Sequence, residues 1–303
     1  METVECGIIG MGRQGSIFSR ALLKNDCFSH STFHAYDPNV EYLKENHYQD
    51  WDVDAVVVCV PHSLTCGVVC DCLENGWDVF AEKPPGTCYA ECNKMVEKAE
   101  TLDRTLVFGF QHRFYQHVQA LKQLVDGKKI HWMKGFYTKK SLDGWRLNPK
   151  LACHGILLGQ GVHMLDLFQY LSGEQLSLVG STIAYHTFPL EDNVMAVFEP
   201  DTFLHSSFDT HRKVFELKIK TDDEEYKIEG LATVSRSYLS PEKLVVKHPD
   251  AESITFYNEH PEKVFKHEIS LFADEIHGKK TDLCKGEEAL SVMRLVDKIY
   301  ARS

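Results

Sequence analysis

The chain has 303 residues, more than one domain usually holds, and 43% of them are apolar against 25% charged, enough for two globular cores. Its formal charge of −11 repels phosphate backbones and anionic lipid, which argues against nucleic acid and membrane as partners. No apolar run reaches the length of a membrane span, and the acidic start Met1-Glu2-Thr3-Val4-Glu5 lacks the basic region of a secretory leader, so a cytoplasmic location is expected.

The first hundred residues alternate regularly. Val4–Ile9 reads as a strand that ends in glycines, Ser16–Lys24 as a helix, and Thr32–Tyr36 as a second strand ending at Asp37-Pro38. Asp54–Val60 is β-branched and almost wholly apolar, as a central parallel strand covered on both faces must be. A helix then runs to the stop signal Asn75-Gly76, followed by a strand at Trp77–Glu82, a helix at Tyr89–Thr101 and a strand at Arg104–Phe108. This alternation predicts a doubly wound parallel sheet.

The pattern changes near 111–118, which sets the expected domains at 1–114 and 115–303. A helix is expected at Gln116–Val125 and another at Val162–Leu171. Strands follow at Leu176–Thr187, Val194–Phe198, Val214–Thr221, Glu225–Ile228 and Lys243–Val246, with helices at Pro261–His277 and Gly286–Ala301. Successive strands without helices between them predict a large, mostly antiparallel open sheet. The fold class is therefore α/β plus α+β, a Rossmann domain followed by that sheet.

Ten cysteines are many for this length. Cys66, Cys70, Cys88 and Cys92 cluster in sequence, but no paired C-x-x-C knuckle occurs, and each cysteine stands where a small apolar residue packs. No metal is expected.

Gly7-Ile8-Ile9-Gly10-Met11-Gly12-Arg13-Gln14-Gly15 carries G-x-G-x-x-G between a strand and a helix, the context that makes this motif informative. Gly10 permits a sharp turn, Gly12 a close approach of backbone to pyrophosphate, and Gly15 close packing of helix on strand. Arg13 and Gln14 lie within the loop, ahead of a helix whose N–H groups and dipole favour an anion. Asp37, 22 positions past Gly15, suits the adenosine ribose hydroxyls and repels a 2′-phosphate, so NAD is expected rather than NADP. The competing reading is a glycine turn that binds nothing.

Ala81-Glu82-Lys83-Pro84-Pro85 resembles the E-K-P motif of the Gfo/Idh/MocA family of sugar and cyclitol dehydrogenases. Val60-Pro61-His62-Ser63, Gly109-Phe110-Gln111-His112-Arg113-Phe114, Gly144-Trp145-Arg146 followed by Gly155, and Gly161-Val162-His163-Met164-Leu165-Asp166 resemble further family segments in the family's order. The resemblance covers nearly the whole chain. It implies catalytic roles for Lys83 and His163 and cofactor contacts from Pro61, His62, Glu82 and Lys83. It implies substrate contacts from Gln111, Arg113, Trp145, Arg146, Gln160 and His163. A partly buried lysine can exchange a proton near neutrality.

Where the family carries a carboxylate four residues before the histidine, this chain has Gly159, and Cys153 and His154 stand where glycines are usual. Each residue also has a plainer reading. Lys83 could end a strand at the surface, His163 could be a buried histidine beside Asp166, Arg113 and Gln111 could form a salt-bridge junction, and Trp145 and Arg146 could only fix a loop. The resemblance implies NAD-dependent hydride transfer with a sugar, sugar derivative or cyclitol. The alternatives are redox-neutral glycoside hydrolysis with held NAD, or a non-catalytic dinucleotide-binding sensor. Specificity is expected in loops 137–160 and 231–241. A homodimer or homotetramer is expected through the open sheet, with Val194–Phe198 and Val214–Ile219 on the contact face.

Overall fold

A computed structural model describes residues 3–29, 34–41, 43–44, 47–139, 144–208, 213–230, 243–247 and 261–302. In the N-terminal part, β1 (Cys6–Ile9), α1 (Arg13–Leu22), β2 (His34–Tyr36), β3 (Ala55–Val58), α2 (His62–Glu74), β4 (Asp78–Glu82), α3 (Tyr89–Thr101) and β5 (Leu106–Gly109) alternate as expected. The five strands lie in the order β2-β1-β3-β4-β5, every pair parallel. Val56, Val57, Val79, Phe80, Val107 and Phe108 are wholly buried, which is why these strands read as continuous apolar runs. The chain leaves β1 toward β2 and returns to β3 on the other side. The strand order thus reverses between β1 and β3, where open α/β sheets bind ligands.

The C-terminal part begins with α4 (Gln116–Val125), β6 (Ile130–Thr138) and a short α5 (Pro149–Ala152). A π-helical turn, Leu157–Gly161, leads into α6 (Val162–Ser172). Then come β7 (Ser177–Ala184), β8 (Asn193–Glu199), β9 (Thr202–Ser207), β10 (Val214–Thr221), β11 (Glu225–Glu229) and β12 (Lys243–Lys247). The seven strands are ordered β12-β11-β10-β6-β9-β8-β7, antiparallel except for β6 beside β9.

Sequence periodicity missed β6 and β9, which are central to this sheet. β6 is interrupted by Gly135, yet a Cβ there would lie 2.4 Å from Met164 Cγ and 2.7 Å from Phe168 Cζ. The glycine that weakens the strand signal is what lets α6 lie against the strand. β9 reads Thr-Phe-Leu-His-Ser-Ser, with Ser206 and Ser207 buried, so its apolar alternation is lost.

Helices α7 (Pro261–Ile276) and α8 (Gly286–Ala301) close the chain. By packing, Met1–Gln111 groups with Glu262–Leu290, and His112–Pro261 groups with Ser291–Ser303. A single boundary at 114/115 does not describe this arrangement. The reason is aromatic: Phe265 packs on Phe18 at 5.2 Å and Phe272 on Phe80 at 5.7 Å, so α7 covers the parallel sheet, and Phe108 N–H donates to Cys284 C=O.

Among the described residues, one face of the second sheet is exposed at its β7–β9 end. Across it runs a row of Val197, Phe203, Lys134, Lys218 and Lys227, beside a row of Met195, His205, Phe136, Glu216 and Glu229. Met195 and Val197 are exposed, as is Val179 on β7, whereas the outward positions of β10 are charged and ion-paired, Glu216 with Lys218 and Lys227. The apolar patch therefore stops short of the Val214–Ile219 segment expected to extend it. Among the described residues, no helix is long and apolar enough to cross a membrane, and no cluster of His, Cys, Asp and Glu is arranged to hold a metal.

Candidate functional site

In the first unit, the strand-to-helix loop is shaped by its glycines in three different ways. Gly10 has φ +93°, and a Cβ on it would lie 2.4 Å from the Cys59 carbonyl oxygen. A Cβ on Gly15 would lie 1.9 Å from the Gly10 oxygen. A Cβ on Gly12 would meet nothing within 4 Å. Gly10 and Gly15 are thus required by the fold, whereas Gly12 borders the open space that a pyrophosphate would fill. The first turn of α1 contains no acidic residue, so its dipole is available to an anion. The residues present fit a dinucleotide.

Asp37 at the end of β2 is buried. One oxygen accepts from Met11 N–H at 2.8 Å and the other from Asn39 N–H at 2.8 Å. The acid therefore braces the glycine loop; Oδ1 also accepts from Asn39 Nδ2 at 3.4 Å, and Oδ2 keeps a lone pair for a further donor. Pro61 caps α2 and His62, buried, begins it. Glu82 ends β4, is 9% exposed and accepts from Gln14 Nε2 at 3.1 Å, tying this strand end to the first turn of α1. Lys83 follows directly, half-buried, and its bond to Pro84 is cis. Gln111, half-buried, holds a side-chain oxygen that is buried without a donor among the described residues.

Two features here were not read from the sequence. Glu268 on α7 is wholly buried, and neither oxygen has a hydrogen-bond partner among the described residues. Burial first, and then the charge of Glu82, push its carboxyl well above the usual range. The Cys59 thiol is likewise pushed up, by burial and then by Glu82 and Glu268. The apolar spacing of α7 gives a sequence reader no reason to place an acid on its inner face.

In the second unit, a 3-10 turn at Gln111–Phe114 and helix α6 present matched pairs. Arg113, 2% exposed, donates through Nε to both oxygens of Asp166 at 3.0 and 3.1 Å, and through Nη2 to Oδ1 at 2.5 Å; Asp166 is fully buried. The guanidinium also lies 4.9 Å from the Tyr170 ring centroid. Arg113, expected as a substrate contact, is buried and paired with Asp166, as a buried carboxylate requires. Beside it, His163 on α6 meets His112, Nδ1 to Nδ1, at 2.8 Å, both rings buried. Asp166 pairs with Arg113, and the ring on His163 Nδ1 is that of His112. His112 and Arg113 adjoin in the turn, while His163 and Asp166 lie three apart on one helix face. That spacing puts His163 and Asp166 on one face of α6 but does not say which partner each takes.

Trp145 and Arg146 share a 3-10 turn, half-buried, with the guanidinium 4.6 Å from the indole centroid. Gln160 is half-buried in the π-helical turn. A Cβ on Gly159 would meet nothing within 4 Å, so a side chain is absent there for reasons other than room. Cys153 takes φ +61°, a conformation glycine adopts without strain. His154 stacks on Tyr300 at 4.0 Å, and burial lowers its pKa. Glu191 anchors this segment by accepting from Gly155 N–H, Leu157 N–H and the Tyr300 hydroxyl. Loop 231–241, expected to carry specificity, lies outside the described residues, as do residues 140–143 of the other expected loop.

Residues 4–110 match the model of an oxidoreductase family with an NAD-binding Rossmann fold, and residues 118–230 match the GFO/IDH/MocA C-terminal domain, between them more than half of the chain. The chain belongs to the Gfo/Idh/MocA family. Among Gfo/Idh/MocA relatives, a 2,7-anhydro-N-acetylneuraminate hydratase of Mediterraneibacter gnavus is 26% identical over 65% of this chain and 58% of its own length. A myo-inositol 2-dehydrogenase of Thermotoga maritima is 27% identical over 57% of this chain and 56% of its own. The chain thus spans little more than half the length of these curated relatives. Two solved structures share the fold. A 3-ketoreductase from Actinomadura kijaniata in complex with NADP has a TM-score of 0.82 at 18% identity, covering 99% of this chain and 98% of its own. GenD2 from gentamicin A biosynthesis, in complex with NAD, has a TM-score of 0.81 at 14% identity, covering 100% and 94%. The Rossmann unit described above is the part of this Gfo/Idh/MocA chain that matches the NAD-binding model.

Proposed function

We propose that this chain is an NAD-dependent oxidoreductase acting on a carbinol of a sugar, sugar derivative or cyclitol. The observation that carries it is the placement of Lys83. It follows Glu82, which is bonded to Gln14 in the first turn of α1, so the lysine is held beside the loop that receives the dinucleotide. Bound nicotinamide supplies the acceptor or donor of hydride. Lys83 then takes or returns the hydroxyl proton, and His163 holds the same oxygen. Asp37 supports NAD over NADP, because a carboxylate repels a 2′-phosphate.

The same proposal includes a homodimer or homotetramer through the apolar open face of the second sheet, and a cytoplasmic location. A second reading has one specific support. Gly159 stands where the family's acid would be, and one relative is named a hydratase, so redox-neutral chemistry on a sugar with NAD held in place remains in view.

The test is reduction of NAD, and separately of NADP, over a panel of sugars, sugar nucleotides and cyclitols, with Lys83→Ala beside the wild type. The expected result is turnover with NAD that falls on the order of 10³-fold in Lys83→Ala while NAD still binds. Equal turnover in the variant removes the assignment of Lys83. Glycoside cleavage without net NADH selects the second reading, and NAD binding without any turnover selects a sensor.

A further inference from the structure

His163 does not stand alone on its Nδ1 side. His112 reaches it at 2.8 Å, and the two ring centroids are 3.8 Å apart at 55°. His112 is itself enclosed: Phe215 stacks on it at 5.8 Å, Tyr115 and Tyr137 meet it edge-on at 5.7 and 5.6 Å, and its Nε2 lies 3.4 Å from the Tyr137 hydroxyl. Two imidazoles joined Nδ1 to Nδ1 share one hydrogen, because two N–H groups cannot point at each other. The polarity of the chain Tyr137–His112–His163 is therefore one of two.

Tyr137 decides between them. Its side chain is buried, burial pushes its pKa up, and it remains a phenol. Among the described residues its hydroxyl meets one partner, His112 Nε2. If His112 Nε2 carried a hydrogen, the Tyr137 oxygen would accept it and the phenol hydrogen would be buried without an acceptor. An orphaned buried donor costs its full desolvation, whereas an unused lone pair on oxygen costs little. The phenol therefore donates to His112 Nε2, and His112 Nδ1–H donates to His163 Nδ1.

We propose that His112, polarised by Tyr137, is a positioning residue that fixes His163 as its Nε2–H tautomer, so that His163 meets a substrate oxygen as a hydrogen-bond donor and leaves proton removal to Lys83. The catalytic half of this statement rests on the function proposed above; the tautomer does not. In this chain an imidazole occupies the orienting place at His163 while position 159 carries no side chain. A donor at Nδ1 keeps the hydrogen on Nε2, whereas an acceptor at Nδ1 would draw it across and turn Nε2 into a base.

The experiment is two-bond ¹⁵N–¹H correlation of the full chain with ¹⁵N-labelled histidine, His163 being assigned by its loss in His163→Asn. The expected pattern is the Nε2–H tautomer at neutral pH. A Nδ1–H tautomer, or a doubly protonated His163, overturns the proposal whether or not any substrate is turned over. Variants extend the test to function. His112→Gln, whose amide donates to Nδ1, keeps the tautomer and holds kcat within several-fold. His112→Glu, an acceptor, inverts the tautomer and lowers kcat on the order of 10²-fold with KM less affected. Tyr137→Phe, the mildest change, leaves the fold intact and mixes the two tautomers. An unchanged His163 spectrum in folded His112→Glu also overturns the proposal. Absence of turnover in a wild type that shows the expected tautomer counts against the proposed function alone.

Discussion

Glu268 is a carboxyl with no hydrogen-bond partner among the described residues, held by α7 against the side of the sheet where Glu82 also ends. Its raised pKa has a definite consequence for stability. Below the ordinary carboxylate range both folded and unfolded chains bind this proton. As pH rises past that range, the unfolded chain releases it while the folded chain keeps it, so stability declines with pH until the folded group ionises. Glu268→Gln removes the decline. The variant is expected to match the wild type near pH 4 and to be more stable by about 1–3 kcal/mol at pH 8, read from the pH dependence of thermal unfolding. A variant less stable at pH 8 would mean that the carboxylate has a partner that this structure does not record.

Between residues and the fold stand the loop and the turn, where shape divides folding from binding. Gly12→Ala places a methyl in open space, so it is expected to leave thermal stability within about 0.5 kcal/mol while weakening NAD at least tenfold by calorimetry. Gly15→Ala drives a methyl into the Gly10 carbonyl and is expected to destabilise the first unit by about 1–3 kcal/mol, with loss of NAD as a secondary effect. In the second unit the Arg113–Asp166 pair joins a 3-10 turn to α6. Asp166→Asn strands a buried guanidinium and is expected to cost about 3–5 kcal/mol, whereas Arg113→Met with Asp166→Leu is expected to recover most of that loss. Denaturant titration of the wild type, Arg113→Met, Asp166→Leu and the double variant measures the coupling. A small coupling would show that the pair is solvated in solution.

At the scale of the molecule, the second sheet is covered unevenly. Its apolar patch at Val179, Met195 and Val197 lies at one end, and the other end is closed to apolar association by Glu216, Lys218 and Lys227. If a second copy covers the patch, the copies meet through β7–β9. Met195→Glu with Val197→Lys is expected to shift the mass measured by light scattering to that of a monomer without altering NAD affinity in the Rossmann unit. A wild type that is already monomeric would remove the interface.

Periodicity and local chemistry in the sequence determined the alternation of strands and helices up to residue 109, the glycine loop and Asp37, while a family resemblance singled out Lys83 and His163. The first three rest on contacts close in sequence or on backbone geometry that only certain residues allow. Tertiary structure alone decided the rest. It made β6 and β9 central to the second sheet, because Gly135 answers to Met164 and Phe168 thirty residues away. It returned α7 to the first unit through Phe265 and Phe272, and it gave Arg113 to Asp166 and His112 to His163. Such pairings join residues some fifty positions apart, and no local propensity encodes which buried polar group will find which partner.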